Sequence, residues 1–256
     1  MSFDPDLTAC AALVERADPW RFRCAMAAPV AARRILFPLY AFNIEVARAP
    51  WVTKETMIAE MRLQWWRDVC EEIAKGGPPR RHEVATPLAQ AITPADAALL
   101  DELVAARRWD IYRDAFEDQD HFERYIGQTS GNLTLIAARR LGPVNEAVLR
   151  DAAHAIGVAA FLRAIPELEA AGRIPLIDGS PEGLRHLADS ALRRLYDARR
   201  LRREISRAAA PALLAAPQAE IILKIVRSEP SRVATGNLPD PQASLSFPLR
   251  ALTARW

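Results

Sequence analysis

The chain has 256 residues, half of them hydrophobic, which is enough for one sizeable core, and a single domain over residues 1–256 is expected. Its 34 basic and 32 acidic side chains leave a formal charge of +2, which excludes a whole-molecule field selective for nucleic acid. Cys10, Cys24 and Cys70 are far apart and form no Cys-x-x-Cys pair, so neither a disulfide framework nor a zinc site is expected, and a reducing cytoplasm suits them.

From Met1 to Trp20 the acidic residues Asp4, Asp6, Glu15 and Asp18 replace the basic, then apolar, composition of a secretory signal, so export by that route is not expected. No later run approaches the ~18 to 20 apolar residues that span a bilayer, and any membrane contact is expected to be peripheral, on the inner membrane. Apolar residues recur at three- and four-residue spacing, with no sustained alternation, so an all-α fold of about nine to eleven helices is predicted. Pro29 suits the first turn of a helix running to Ala47, with a kink at Pro38 and a stop at Ala49-Pro50. The next helix runs from Thr53, as N-cap, to Ala74, where Gly76-Gly77-Pro78-Pro79 ends it. Further helices are predicted over Pro94–Phe116, His121–Leu141, Asn145–Ile165 and Pro181–Arg207, with shorter ones after Pro211 and Pro217 and a loop from Ser228 to Ser244.

Phe37-Pro38-Leu39-Tyr40-Ala41-Phe42 resembles the start of the helix that carries the first aspartate-rich motif of the squalene/phytoene synthase family. Gly157, Phe161-Leu162-Arg163 and, nine residues on, Gly172-Arg173 match the frame of that family's second motif. Trp65-Trp66, Pro87-Leu88, and Tyr125 with Thr129 and Gly131 follow in the family's order, so the resemblance covers Phe22 to Leu176. It implies an isoprenoid-synthase-like helical bundle around a central cavity, lined by Tyr40, Ile44, Thr129, Gly131, Gly157, Phe161 and Arg163.

The family's carboxylates hold magnesium ions that bridge an allylic diphosphate, a task for oxygen ligands four residues apart on facing helices. In this chain the first motif falls on Ala47, Arg48 and Trp51, and the second on Ala164 and Leu168, none of them acidic. The family's arginine after the first aromatic run falls on Ile44. Asp110, Asp114 and Asp118 repeat at four-residue spacing, and are read as a solvated helical stripe paired with Arg107 and Arg113 rather than as a relocated metal site. Glu45 is expected to pair with Arg48. The catalytic and metal sites are therefore expected to be lost, with no cofactor required and magnesium relevant only to an active enzyme.

Tyr40 to Ala47, Lys54 to Ile58, Met61 to Trp66 and Leu162-Arg163-Ala164-Ile165-Pro166 are similar to the non-catalytic branch of the family whose mitochondrial members help assemble respiratory complex I. The resemblance implies a complex I subunit or assembly intermediate as partner. Two other readings stay open: an active prenyl-diphosphate transferase, and a metal-free isoprenoid- or lipid-binding protein in which Arg48 and Arg163 hold phosphate. Finally, Arg199, Arg200, Arg202 and Arg203 crowd the end of the Pro181–Arg207 segment and form a candidate patch for an anionic membrane surface or an acidic partner. Nucleic acid is not expected there, since Tyr196 is the lone stacking aromatic nearby.

Overall fold

A computed structural model describes residues 4–239 and Trp256. Among these residues the fold is all-α: twelve α-helices and no strand, with one isolated bridge between Val144 and Ile205. The chain opens with α1 (Pro5–Ala17) and α2 (Pro19–Ala27), each with proline in its first turn. Asp4 and Asp18 cap them, accepting hydrogen bonds from the Asp6 and Arg21 amides. Two acidic residues of the N-terminal run are thus helix caps.

Helix α3 (Val30–Arg48) has Pro29 as its N-cap and carries Pro38 within it. Helix α4 (Thr56–Ala74) starts later than the sequence suggests, with Glu55 as N-cap. Thr53 instead closes a turn, its hydroxyl accepting from the Glu55 amide at 3.1 Å. Helix α5 (Ala85–Ala91) precedes α6 (Pro94–Ala106), whose capping box pairs Thr93 with Asp96.

The predicted continuation of this helix from Arg107 to Phe116 does not form. After α6 the chain tightens into a 3-10 turn (Arg107–Asp110) and then runs irregularly to Asp118. The cause is tertiary: the Arg173 guanidinium donates to the carbonyls of Trp109, Asp110 and Tyr112, giving them partners outside any helical ladder. Asp110, Asp114 and Asp118 therefore form no acidic stripe. Asp110 is buried, and Asp118 caps α7 (Gln119–Ile126) by accepting from the His121 amide at 2.7 Å.

From α7 the chain passes through a π turn (Gly127–Gly131) directly into α8 (Asn132–Leu141). Helix α9 (Glu146–Ala170) continues through Pro166, beyond the expected end at Ile165. It closes where Gly172 adopts φ 76° and the Arg173 amide bonds to the Leu168 carbonyl at 3.0 Å. Helix α10 (Pro181–Arg200) stops short of Arg207 and is followed by a 3-10 turn (Arg202–Glu204). The residues after Pro211 form only a 3-10 turn (Ala210–Leu213), while Pro217 lies in the first turn of α11 (Ala216–Ser228). The expected loop from Ser228 contains α12 (Ser231–Ala234), and its residues 240–244 lie outside the described residues.

Helix α9 is the central element, packing on α8, α10, α11 and the π turn, while α3 packs on α1, α2, α5 and α8. Alanines and one glycine let these helices approach: Ala152, Ala153, Ala155 and Ala159 of α9 are buried, and a Cβ on Gly157 would come within 2.8 Å of Ile126 and Ser130. No helix among the described residues is long and apolar enough to cross a membrane.

Candidate functional site

A cavity of about 640 Å³ lies between the C-terminal half of α3, the C-terminal half of α9, the π turn and the 107–110 turn. On α9, Gly157, Ala160, Phe161, Ala164 and Leu168 recur at three- and four-residue spacing and present one face to it. On α3 the same geometry turns Asn43 and Ala47 inward, four residues apart, and Trp51 joins them from the turn that follows the helix.

Ala47, Trp51, Ala164 and Leu168 thus line the cavity, but Arg48 does not. It sits about 100° around the helix from Ala47, half-exposed, with its guanidinium 3.8 Å from Glu45. Of the other predicted lining residues, Thr129, Gly157 and Phe161 face the cavity. Tyr40 and Ile44 are buried but line no part of it. Gly131 is buried at the end of the π turn, facing the Arg150 side chain. Arg163 is exposed, because it falls outside the inward stripe of α9. Neither arginine invoked to hold a phosphate therefore reaches the cavity.

Two other arginines do. Arg21, from α2, is held by Asp18 at 2.8 Å and lies 5.7 Å from the centre of the Tyr40 ring. Arg107, from the 3-10 turn, donates to Asp110 at 2.9 Å and to the Tyr125 hydroxyl at 2.8 Å. The Tyr125 hydroxyl donates in turn to Asp110 at 2.9 Å, closing a triangle in the cavity wall. Burial alone would favour neutral Arg107, but Tyr125 and Asp110 outweigh it and hold the guanidinium charged. Burial pushes the Tyr125 phenol well above its usual range, so it remains a neutral hydrogen-bonding group. Sequence reading missed both arginines. An Arg-x-x-Asp spacing at 107–110 was visible, but nothing local shows that it faces α9.

Trp51 occupies one of the former carboxylate positions and stacks against Arg173, whose guanidinium carbon lies 4.9 Å from the ring centre. Arg173 belongs to the Gly172-Arg173 pair and is itself buried. A cation packed on indole thus stands where a carboxylate would meet a metal.

The residues present do not fit a magnesium cluster. Among the described residues the lining holds only Asp110 and Glu167 as carboxylates, and Asp110 is engaged by Arg107 and Tyr125. Among the described residues no three His, Cys, Asp or Glu side chains are grouped to hold a metal ion. Magnesium needs several oxygen ligands in near-octahedral array, and one engaged carboxylate with one lone carboxylate does not supply them.

The basic segment differs from expectation. Arg199 is mostly buried, pairing with Glu220 at 2.5 Å and donating to the Trp256 carbonyl at 3.1 Å. Arg200 is exposed beside Asp197 at 2.8 Å. Arg202 and Arg203 are exposed on the 3-10 turn beyond α10. The patch is therefore a helix end carrying Arg200, Arg202 and Arg203, not a helix face. It lies against the start of α9, where Asn145 bonds to Glu204 at 2.5 Å. The cavity lies toward the other end of that helix, whose 25 residues span about 37 Å.

Residues 14–176 match the family model of squalene/phytoene synthase. The chain is 30% identical over 166 residues to the Drosophila melanogaster homolog of NADH dehydrogenase (ubiquinone) complex I, assembly factor 6, covering 61% of this chain and 50% of that protein. It is 28% identical over 162 residues to the Homo sapiens assembly factor 6, covering 61% and 48%. The chain thus spans about half the length of the curated relatives it matches. Among solved structures, a dehydrosqualene synthase superposes with a TM-score of 0.77 at 16% identity over 97% of this chain and 94% of that one. The squalene synthase HpnC from Alicyclobacillus acidocaldarius gives 0.73 at 16% identity over 92% and 95%. These structures establish the isoprenoid-synthase-like fold.

Proposed function

The chain belongs to the squalene/phytoene synthase family, and we propose that it serves as an assembly factor for respiratory complex I and carries out no prenyl-diphosphate chemistry. The observation that carries this reading is the cavity itself: Ala47, Trp51, Ala164 and Leu168 stand at its wall without a carboxylate among them. Ionising an allylic diphosphate requires a preorganised cation clamp, a large share of the barrier lowering at such sites. The Trp51–Arg173 stack puts an indole where a metal-binding oxygen would be required. The curated relatives that bear the name of a complex I assembly factor point the same way.

The partner under this reading is a complex I subunit or assembly intermediate, and the protein needs no metal cofactor. The exposed Arg200, Arg202 and Arg203 at the end of α10 suit an acidic client surface, because opposite charges steer association and fix orientation. The protein works in the cytoplasm, peripherally at the inner membrane where complex I is built. A second reading, a metal-free lipid-binding protein, is favoured by the volume that the cavity retains, about 640 Å³.

Deleting the gene tests the assignment. Native-gel analysis is expected to show less assembled complex I and less NADH oxidation, with squalene and carotenoid content unchanged. Normal complex I in the deletion strain overturns the assembly role. Magnesium-dependent turnover of farnesyl or geranylgeranyl diphosphate by the purified protein overturns the non-catalytic assignment.

A further inference from the structure

Asn43 stands among the buried Leu39, Phe42 and Val46 of α3 and faces the cavity, 7% exposed and with no side-chain hydrogen bond among the described residues. An amide buried without partners is costly, so such a group points to something that bonds it. Thr129, 3% exposed, gives onto the same cavity from the π turn. Its hydroxyl donates its one proton to the Tyr125 carbonyl at 2.6 Å, so toward the cavity the oxygen only accepts. Between this polar depth and the exposed Trp51 and Glu167 at the mouth, Ala47, Ile126, Phe161, Ala164 and Leu168 form an apolar wall.

We propose that the cavity binds an uncharged long-chain alcohol, with its hydroxyl at Asn43 and Thr129 and its chain along the apolar wall. This ligand class rests on the lipid-binding reading of the cavity. A hydroxyl both donates and accepts, so it accepts from the Asn43 amide nitrogen and donates to the Thr129 oxygen. The oxygens of a fully ionised phosphate or carboxylate only accept, and either group would set an acceptor against the Thr129 oxygen. A ketone or an ester fails in the same way.

Charge around the lining disfavours an anion as well. Arg21 is held by Asp18 at 2.8 Å and Arg107 by Asp110 at 2.9 Å, while Glu167 lines the cavity with no ion pair among the described residues. Arg173, stacked on Trp51, adds a cation that balances Glu167 and already serves three backbone carbonyls. Cations and carboxylates thus offset one another, and no surplus positive charge meets a diphosphate. The volume of about 640 Å³ lies within the roughly 300 to 1,000 Å³ usual for small-molecule sites.

Equilibrium dialysis of the full chain against labelled farnesol, dodecanol and farnesyl diphosphate tests the assignment. The two alcohols carry the same head on a branched and a straight chain, and whichever binds more tightly names the chain. At least one of them is expected to bind roughly tenfold or more tightly than farnesyl diphosphate, with no dependence on magnesium. Asn43→Leu is expected to weaken alcohol binding about three- to tenfold, and Ala164→Phe, which fills the cavity, to abolish it. Circular dichroism and melting temperature establish whether each variant is folded; should Asn43→Leu not fold, the comparison of alcohol with diphosphate on the parent chain decides. Farnesyl diphosphate binding as tightly as the alcohols or more so, or unchanged alcohol binding in folded Asn43→Leu, overturns the hydroxyl site and leaves the lipid-binding reading standing. Alcohol binding that folded Ala164→Phe leaves intact puts the ligand outside the cavity and also overturns the site. Binding of none of the three ligands overturns the site and the lipid-binding reading together.

Discussion

Removing the Asp110 carboxylate is the sharpest test of the triangle in the cavity wall. Asp110 is only 3% exposed, and it accepts from Arg107 and Tyr125, each at 2.9 Å. In Asp110→Ala the Arg107 guanidinium loses its neutralising partner, and the Tyr125 hydroxyl loses its acceptor. Leaving one member of a buried ion pair uncompensated costs about 3 to 5 kcal/mol. For a chain of this size that lowers the melting temperature by roughly 10 °C, at about 2 to 4 °C per kcal/mol. Arg107→Met combined with Asp110→Ala removes both charges, so the double variant is expected to be less destabilised than the sum of the single ones. The assay is urea unfolding followed by circular dichroism, with the slope compared among variants. A loss below about 1 kcal/mol in Asp110→Ala, or strict additivity in the cycle, refutes a coupled buried pair.

Gly157→Ala is expected to cost about 1 to 3 kcal/mol in the same assay, because the added Cβ would lie 2.8 Å from both Ile126 and Ser130. Glu220 gives a pH dependence of defined sign. Burial raises its pKa, but hydrogen bonds from Lys224 and Arg199 outweigh that and hold it at about 2 against a usual 4.5. Its contribution is therefore complete above pH 4.5 and is lost as pH falls toward 2, so Glu220→Gln should be less stable at neutral pH by roughly 1 to 3 kcal/mol and show a flatter acid limb. Finally, R200E/R202E/R203E in the cell is expected to lower native-gel complex I abundance while the purified variant keeps its helical spectrum; unchanged abundance retires the basic end as a client contact.

Helical class, the family frame and the missing carboxylates were legible in the sequence because each rests on short-range order. Spacing of four residues puts Asn43 and Ala47 on one helix face and Ala164 and Leu168 on another, whatever the rest of the chain does. The family resemblance implied Thr129, Gly157 and Phe161 beside the cavity, where they lie, but also Arg48 and Arg163, which do not line it, since a basic residue within a motif need not share the motif's face. The run of aspartates from 110 misled for a related reason. Its helical period was real in the sequence, yet Arg173, more than sixty residues away, draws the carbonyls of Trp109, Asp110 and Tyr112 out of the ladder.

Local spacing determined which residues share a helix face, and so which residues stand beside Ala47 on α3 and beside Ala164 and Leu168 on α9. Tertiary structure alone decided which cations face the cavity. Arg21 and Arg107 arrive there from elements distant in the chain, and their directions depend on Asp18, Asp110 and Tyr125. It also decided that Arg199 is spent on Glu220, while Arg202 and Arg203 remain exposed. The physical reason is one of range: a backbone's period fixes azimuth over a few residues, but burial and charge pairing depend on whatever the rest of the fold packs against that face.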